Sequence, residues 1–248
     1  MLTVEHPGLQ TLVVDAGRAG WAHLGVPRSG ALDLASLARA NALVGNPPHA
    51  AGLECLLRGP VLSGPHVLAA AAPAYETTAH GQLDLTRLPC LRVWVAVAGG
   101  LAVAPVLGSR SADLLGGLGP APLRAGDTLA VGVDLRAPYD APAPTRSIGA
   151  LPLLPGPDDL PLHPGPWTVT PRSDRTALRL EGPARPHDLP GRTRGLVPGV
   201  VQLPPDGRPV VFLAGHPATG GYPIVGVVPA AHLPTLAQLR PGALLEFR

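Results

Sequence analysis

The chain has 248 residues, of which 46% are hydrophobic, and a formal net charge of +2 from 19 basic and 17 acidic residues. Every basic residue is an arginine, so the chain has no lysine to form a Schiff base or to carry biotin. The arginines are spread along the sequence, which gives no support to nucleic-acid binding. No apolar run is long enough to cross a membrane, and the N-terminus MLTVEHPGLQ does not resemble a signal peptide, so we expect a cytoplasmic location.

Short strand-like runs recur along the chain, and most are bounded by Gly, Pro or Asp. With 31 Gly and 33 Pro in a chain of positive mean hydropathy (+0.23), these residues punctuate strands rather than mark disorder. The predicted strands are Thr11–Val14, Val67–Ala71, Arg92–Ala98, Thr128–Val133, Trp167–Thr170, Ala177–Leu180, Val210–Ala214, Ile224–Val228 and Ala243–Phe247. The pattern predicts a mainly β fold.

Two helices interrupt this pattern. Apolar residues at helical spacing predict a helix over Ala31–Val44, with Gly45 in the position after its C-terminus. A second, shorter helix is predicted over Leu233–Leu239. The fold class is therefore mainly β with a few short helices.

The loop HLGVPRSG, residues 23–30, lies directly before the first helix and has two interpretations. Ser29 could be the N-cap, accepting hydrogen bonds from the first helical turn. Alternatively, Arg28, Ser29 and Gly30 could bind a carboxylate or another anion at the positive helix end. Asp33 in the first turn argues against a free anion there, because its own charge satisfies that end.

Three short matches in the same order indicate an internal repeat. LRAGDTLAV at 123–131 resembles LRPGALLEF at 239–247, LLRGP at 56–60 resembles LRLEGP at 178–183, and 93–100 resembles 210–221. We infer two related β modules, 1–140 and 141–248, joined by a Pro-rich connector within 136–166. Strand exchange across that boundary stays possible.

Two turns carry candidate site residues. GSRS, Gly108–Ser111, has the composition of a small anion-binding nest, with Ser109 and Arg110 as the ligand-binding residues; the alternative is a solvated surface turn. TGGY, Thr219–Tyr222, suits a tight turn whose backbone N–H groups face a developing oxyanion; the alternative is a hairpin with Tyr222 packed at the core edge. His216 lies close to the second turn and could act there as general acid or base.

Other residue types point to structure rather than chemistry. Arg175 and Glu181 are six residues apart, which places both on one face of a continuous strand. An ion pair, between the two or with neighbouring residues, is favoured over a catalytic role. Cys55 and Cys90 have no metal-binding or redox spacing and are predicted to be free, buried thiols. No histidine pair has metal-ligand spacing, and the chain lacks a phosphate-binding GxxxxGK[ST] motif and a GxSxG elbow.

Four motifs in order resemble the biotin-dependent carboxyltransferase subunit family. They are PGLQTLVVDAGRAGWAHLGVPRSGALDLASLARANALVGNPPHAAGLE, VAVAGGLAVAPVLGSRSADLLGGLGPAPLRAGDTL, VTPRSDRTALRLEGP, and VPGVVQLPPDGRPVVFLAGHPATGGYPIVGVV. That family includes the C subunit of bacterial 5-oxoprolinase, the second allophanate-hydrolase-type subunit, KipA-type antagonists of a sporulation kinase inhibitor, and part of urea amidolyase.

The resemblance implies two cyclophilin-like β-barrel modules and a KipI-like companion subunit, with a third subunit possible. It implies a role in ATP-dependent opening of 5-oxoproline to glutamate, or in carboxyl transfer from carboxybiotin to a small amide; a non-catalytic module that binds a KipI-like inhibitor is the alternative. No cofactor is expected on this chain alone, because ATP or carboxybiotin would be handled by partner subunits. Neither nucleic acid nor membrane is expected as a partner.

The resemblance also implies roles for individual residues. Arg28, Ser29, Gly30, Ser109, Arg110, Gly220 and Gly221 would bind the substrate, and Tyr222 and Thr219 would be catalytic, with no metal ligand among them. His216 is a third candidate catalytic residue, from its position beside the TGGY turn rather than from the resemblance. The chain departs from the family in AGHPATGG at 214–221, where Gly215 replaces an acidic residue and Pro217 a Gln. It also looks shorter around 60–91 and 152–166.

Overall fold

The computed structural model describes residues 1–133, 139–140, 142–143 and 150–248, and over these residues the protein is mainly β with short helices, as predicted. The chain divides into two compact units, each built on a sheet that curls into a half-barrel. Unit 1 comprises Met1–Arg18 and Ser29–Thr145, and unit 2 comprises Ala19–Arg28 and Arg146–Arg248. The predicted boundary after residue 140 adjoins a residue that the structure does not describe. Much of the predicted connector within 136–166 also lies outside the described residues. The cyclophilin-like character of each unit stays a prediction.

Unit 1 contains a seven-stranded sheet and one helix in the part of the chain that the structure describes. Its elements are β1 (Leu2–His6), β2 (Gln10–Val14), α1 (Leu34–Leu43), β3 (Gly52–Leu56), β4 (Val61–Ala72), β5 (Tyr75–Asp84), β6 (Arg92–Val97) and β7 (Thr128–Leu129). The strand order is β2-β3-β6-β4-β1-β7, and β5 pairs with β4 at a further edge. All of these pairings are antiparallel.

The sheet of unit 1 is covered on both faces, which explains why β6 is buried at every residue. Successive side chains of a strand point to opposite faces. Leu68 and Ala70 of β4 therefore join the main apolar cluster, while Ala69 and Ala71 face α1. Small alanines on this second face allow the helix to lie close to the sheet.

Helix α1 begins later than predicted, because Asp33 and not Ser29 is its N-cap. The Asp33 carboxylate accepts the Ser36 N–H at 3.0 Å and the Ser36 hydroxyl at 2.6 Å. At the other end, Gly45 has a positive φ of 73° and donates its N–H to Ala42, as predicted for a residue beyond the C-terminus. The helix N-terminus is therefore satisfied by a carboxylate of the chain itself.

Unit 2 contains an eight-stranded sheet and a separate two-stranded ribbon among its described residues. Its strands are β8 (Ala150–Leu151), β9 (Leu154–Pro155), β10 (Trp167–Val169), β11 (Ala177–Glu181), β12 (Arg194–Gly195), β13 (Val200–Gln202), β14 (Val210–Phe212), β15 (Thr219–Gly220), β16 (Ile224–Val227) and β17 (Leu244–Phe247). The order is β8-β17-β10-β11-β14-β13-β16-β9, and β12 pairs with β15. Helix α2 (Leu233–Leu236) follows a 3-10 turn and is shorter than the helix predicted there; a further 3-10 turn covers Ala22–Leu24.

The predicted internal repeat has a structural counterpart in the turn before the last strand of each unit. Gly126 donates its N–H to the Val4 carbonyl at 2.8 Å, and Gly242 donates to the Val169 carbonyl at the same distance. The two glycines have φ of 88° and 87°, values that favour glycine. The matched sequences LRAGD and LRPGA thus form the same turn in both units.

Candidate functional site

The GSRS turn of unit 1 is organised around the carboxylate of Asp15, at the end of β2. Oδ1 accepts the hydroxyls of Ser109 and Ser111, each at 2.6 Å, and the Gly17 N–H at 2.8 Å. Oδ2 accepts the Arg110 backbone N–H at 2.6 Å. The donors of this turn therefore hold an anion, but that anion is a carboxylate of the protein itself.

The charge of Asp15 is stabilised where it lies. Burial by itself raises the pKa of this carboxyl, but the hydrogen bonds from Ser109, Ser111 and the two backbone N–H groups outweigh it and hold the pKa below its ordinary value. The buried Arg18 guanidinium extends the network, since it donates to the Ser111 carbonyl at 2.5 Å. A buried carboxylate with this many donors is a rigid anchor for the turn.

The Arg110 side chain keeps capacity to bind a ligand although its backbone N–H is used. Its Nε–H donates to the Val103 carbonyl at 2.7 Å, which orients the guanidinium, and the side chain is half-buried. A guanidinium has further donors beyond this one bond. Of the predicted pair, Ser109 is committed to Asp15, while Arg110 can still orient an anion.

Gly30 lies against the same Asp15 loop, and Ser29 directly precedes it in the chain. Ser29 is buried at a positive φ of 55°, and its hydroxyl has no hydrogen-bond partner among the described residues. Gly30 has a φ of 93°, and a Cβ there would stand 2.9 Å from the Gly17 nitrogen. The structure thus brings Ser29 and Gly30 together with Ser109 and Arg110 around Asp15.

Arg28 is the last residue of Ala19–Arg28, a segment that belongs to unit 2, and its side chain is exposed. In unit 2 the TGGY turn begins with strand β15, which pairs with β12 so that Gly220 lies opposite Arg194. A Cβ on Gly220 would lie 2.6 Å from the Gln202 side-chain nitrogen, whereas a Cβ on Gly221 meets no atom within 4 Å. A side chain at the first glycine would therefore displace the Gln202 amide, whereas the second glycine has open space around it.

Tyr222 is exposed by 48%, which contradicts the alternative that it packs as a core residue. Its carbonyl accepts the side-chain N–H of Gln202 at 3.0 Å, and the buried Gln202 thereby ties the turn to β13. The phenol is available to a ligand.

His216 is buried, and its imidazole has a defined tautomer. Nδ1 lies 2.7 Å from the Pro217 carbonyl, which can only accept, so Nδ1 carries the proton and Nε2 the lone pair. Nε2 is buried without a hydrogen-bond partner in the described part of the chain. Burial lowers the pKa of His216, with partial opposition from the Pro217 hydrogen bond, so the ring is neutral at neutral pH.

The ion pair predicted for Glu181 is made with a neighbouring residue, Arg172. Arg175 precedes β11 and is buried, while Glu181 is exposed and lies 3.7 Å from Arg172. The Arg175 carbonyl accepts the N–H of Gly215 at 2.9 Å, so this segment supports the altered loop.

Both cysteines are free, as predicted, but only Cys55 is fully buried; Cys90 is half-buried.

Sequence reasoning missed Asp15 and Gln202 as organisers of the two turns. An acidic residue at the end of a strand, two residues before a glycine, is the signal that could have identified Asp15.

Within the described residues, no group of three or more His, Cys, Asp or Glu is arranged to hold a metal, and no helix is long and apolar enough to span a membrane.

Comparison with family models matches residues 24–83 and 69–248 to the carboxyltransferase domain, subdomain A and B. The chain is 32% identical to the C subunit of 5-oxoprolinase from Escherichia coli, over all of this chain and 90% of that protein. It is 29% identical to the urea amidolyase of Lachancea kluyveri, over 98% of this chain and 16% of that protein. The E. coli alignment extends over 283 positions, so that relative has positions without a counterpart in these 248 residues.

Solved structures give the same picture. The crystal structure of TTHA0988 superimposes on all of this chain with a TM-score of 0.88 and 39% sequence identity. The urea amidolyase of Kluyveromyces lactis superimposes on 99% of the chain with a TM-score of 0.85 and 25% identity. The chain spans 55% of the TTHA0988 chain and 18% of the urea amidolyase chain.

Proposed function

Because the chain belongs to the carboxyltransferase domain family, subdomains A and B, we propose that it is the C subunit of a 5-oxoprolinase-type complex, which opens 5-oxoproline to glutamate with ATP. The observation that carries this proposal is the full-length similarity to the E. coli 5-oxoprolinase protein. A second homologue of that description, from Haemophilus influenzae, is 29% identical over 95% of this chain. The proposed substrate is a small lactam that bears a carboxylate.

The geometry of the two turns supports a role in orienting such a substrate. In unit 1, the guanidinium of Arg110 stands on a turn that Asp15 holds rigid. In unit 2, the Gly220 and Gly221 backbone and the exposed Tyr222 phenol can donate to an oxygen that gains charge. We propose that, within unit 1, Ser29, Gly30, Ser109 and Arg110 form or support an anion-binding part. Within unit 2, we propose separately that Arg28 binds an anionic group and that Thr219–Tyr222 donate to a carbonyl oxygen.

His216 is the proposed proton acceptor. Its Nε2 carries the free lone pair, and its neutral state at neutral pH is the state that a general base requires. Because Nε2 is buried, direct proton transfer to a ligand requires the 216–219 segment to open. This requirement separates His216 from Tyr222, which a ligand reaches without any movement.

The proposal assigns the ATP step, or any carboxybiotin, to partner subunits. The chain has no lysine for covalent biotin and no phosphate-binding GxxxxGK[ST] motif. A KipI-like protein is the proposed first partner, and a third subunit would complete the complex.

Co-expression of the chain with a KipI-like companion and an ATP-using subunit tests the proposal. We expect glutamate to form from 5-oxoproline only when all subunits and ATP are present. Arg110→Gln should lower the rate, whereas Arg124→Gln, an exposed arginine of the same unit, should leave it unchanged. An assembled complex without ATP-dependent turnover would refute the proposal.

A urea-type carboxyltransferase half is the second candidate, and the similarity to urea amidolyases over nearly the whole chain favours it. Urea and a biotin carrier would replace 5-oxoproline and the ATP-using subunit in the same assay. Carboxyl transfer that depends on the carrier would select this function over the first.

A regulatory module that binds a KipI-like inhibitor is the remaining alternative, and Gly215 and Pro217, which replace the family's acid and Gln, favour it. A stable complex with the companion in which Arg110→Gln changes no turnover would support that role.

A further inference from the structure

Unit 2 contains a cleft of about 320 Å³ that the sequence did not predict, although Tyr222 of the TGGY turn belongs to its lining. It is lined by a row of paired residues across three neighbouring strands, in which Arg179 lies opposite Val210 and Val210 lies opposite Gln202. Side chains of directly paired residues stand on the same face of a sheet. The row therefore runs from an exposed guanidinium, over an apolar side chain, to a buried amide.

Three arginines give this cleft a positive charge. Arg172 and Arg208 join Arg179 in its lining, together with a single carboxylate, Asp206. Outside the lining, Glu181 lies 3.7 Å from Arg172; within it, Asp206 lies 3.6 Å from Arg208. All four of these side chains are about half exposed or more, so the two ion pairs contribute little and exchange readily for a ligand.

The Arg179 guanidinium is different from the other two. It makes no ion pair or hydrogen bond within the part of the chain that the structure describes, although the backbone N–H of the same residue donates to the Ser173 hydroxyl at 3.0 Å. Strand β11 and this hydrogen bond therefore fix the position of the Arg179 backbone, while the N–H groups of its guanidinium can bind a ligand. Arginine is the side chain best suited to bind a carboxylate through two parallel hydrogen bonds.

The rest of the cleft suits a compact organic body rather than a bare ion. Val210 and Phe212 supply an apolar floor, and the exposed Tyr222 adds an aromatic ring to the lining. The volume lies at the lower end of the range for small-molecule sites. Gln202 lines the cleft and also holds the Tyr222 carbonyl, so an occupant would touch the residue that positions the TGGY turn.

We propose that this cleft binds a small organic carboxylate, with the carboxylate on Arg179 and Arg208 and the ring or chain on the apolar floor beside Tyr222. All residues of the site belong to unit 2. The choice of 5-oxoproline as the first probe rests on the proposed function, whereas the presence of the site does not.

The test is calorimetric titration of the whole protein, without partner subunits, against four probes. These are 5-oxoproline, glutamate, the neutral lactam 2-pyrrolidone, and inorganic phosphate. We expect saturable binding of at least one of the two carboxylates, and none of 2-pyrrolidone. Arg179→Gln should weaken binding about tenfold or more, because a charged, two-point contact is lost.

Arg240→Gln is the matched control, since it removes an exposed arginine of the same unit that does not line the cleft. It should bind the probe as the unchanged protein does, and Arg208→Gln should weaken binding as Arg179→Gln does. The proposal is overturned if neither carboxylate binds at up to about 10 mM, if phosphate binds as tightly as they do, or if Arg179→Gln and Arg240→Gln behave alike. Because no turnover is measured, these outcomes are independent of the oxoprolinase assay.

Discussion

Asp15→Asn tests the conclusion that the GSRS turn is built on an internal carboxylate. The substitution keeps the shape of the side chain but replaces one oxygen by an NH2 group. A backbone N–H faces each oxygen, Gly17 at Oδ1 and Arg110 at Oδ2. Whichever way the new amide is turned, one of these partly buried N–H groups therefore meets another donor.

The expected cost follows from these contacts. A buried hydrogen bond to a charged group contributes about 1.5–3 kcal/mol, and a buried donor left without a partner costs about 1–3 kcal/mol. We expect Asp15→Asn to lower the free energy of unfolding by about 3 kcal/mol, and Tm by about 6–12 °C for a chain of this length. Asp140→Asn, an exposed carboxylate in the same unit, should leave Tm within about 2 °C of the unchanged protein.

The pH dependence gives a second readout. The pKa of Asp15 is held below its ordinary value in the folded protein, so its contribution to stability is present above the unfolded pKa of about 4 and is lost as the pH falls through the folded pKa. Asparagine has no such contribution, and the Tm difference between the two proteins should shrink below about pH 4. Thermal melts at several pH values measure this. An equal Tm at pH 7 would refute the internal-anion interpretation.

Three further outcomes are expected. Gly220→Ala should destabilise by about 0.5–1.5 kcal/mol in denaturant melts, because its Cβ would lie 2.6 Å from the Gln202 amide nitrogen and would displace it from the Tyr222 carbonyl. Gly221→Ala has open space and should be neutral. NMR titration of His216 should give a midpoint below pH 6.5, with the proton of the neutral ring on Nδ1. The unfolded imidazole binds a proton more readily than the folded one, so the free energy of unfolding should fall as the pH drops below 6.5. Burial raises the pKa of Cys55 to about 12, so a thiol reagent should label native Cys90 and spare Cys55, and equal labelling of both would contradict the structure.

The strands that could be predicted from the sequence are those whose apolar residues run together or alternate. Each of the nine predicted strands overlaps an observed one. Strand β3 was missed because GLECL carries Glu54 at its centre. The fold buries that carboxylate with donors from other parts of the chain, the Leu32 N–H at 2.9 Å and the Trp94 indole N–H at 3.1 Å. A local pattern contains no information about such distant partners.

Strand β5 was missed for a different reason. YETTAHGQLD has few apolar residues, because it pairs only with β4 and most of its side chains face solvent. Its register is set by nine paired positions along β4, from Val61 opposite Asp84 to Ala72 opposite Tyr75. This segment is a strand because it pairs along the length of β4, and not because its own side chains are hydrophobic.

The candidate site shows the same limit at the level of chemistry. Two sequence features indicated anion binding, the start of α1 and the GSRS turn, and both have the required N–H groups. In both, however, a carboxylate of the chain already fills the position, Asp33 at the helix and Asp15 at the turn. A motif therefore predicts the capacity to hold a negative charge and leaves open where that charge comes from. The guanidinium of Arg179 lies in no such motif, yet no carboxylate of the described chain neutralises it. If an anion from outside the chain binds unit 2, charge balance favours the Arg179 guanidinium as its partner.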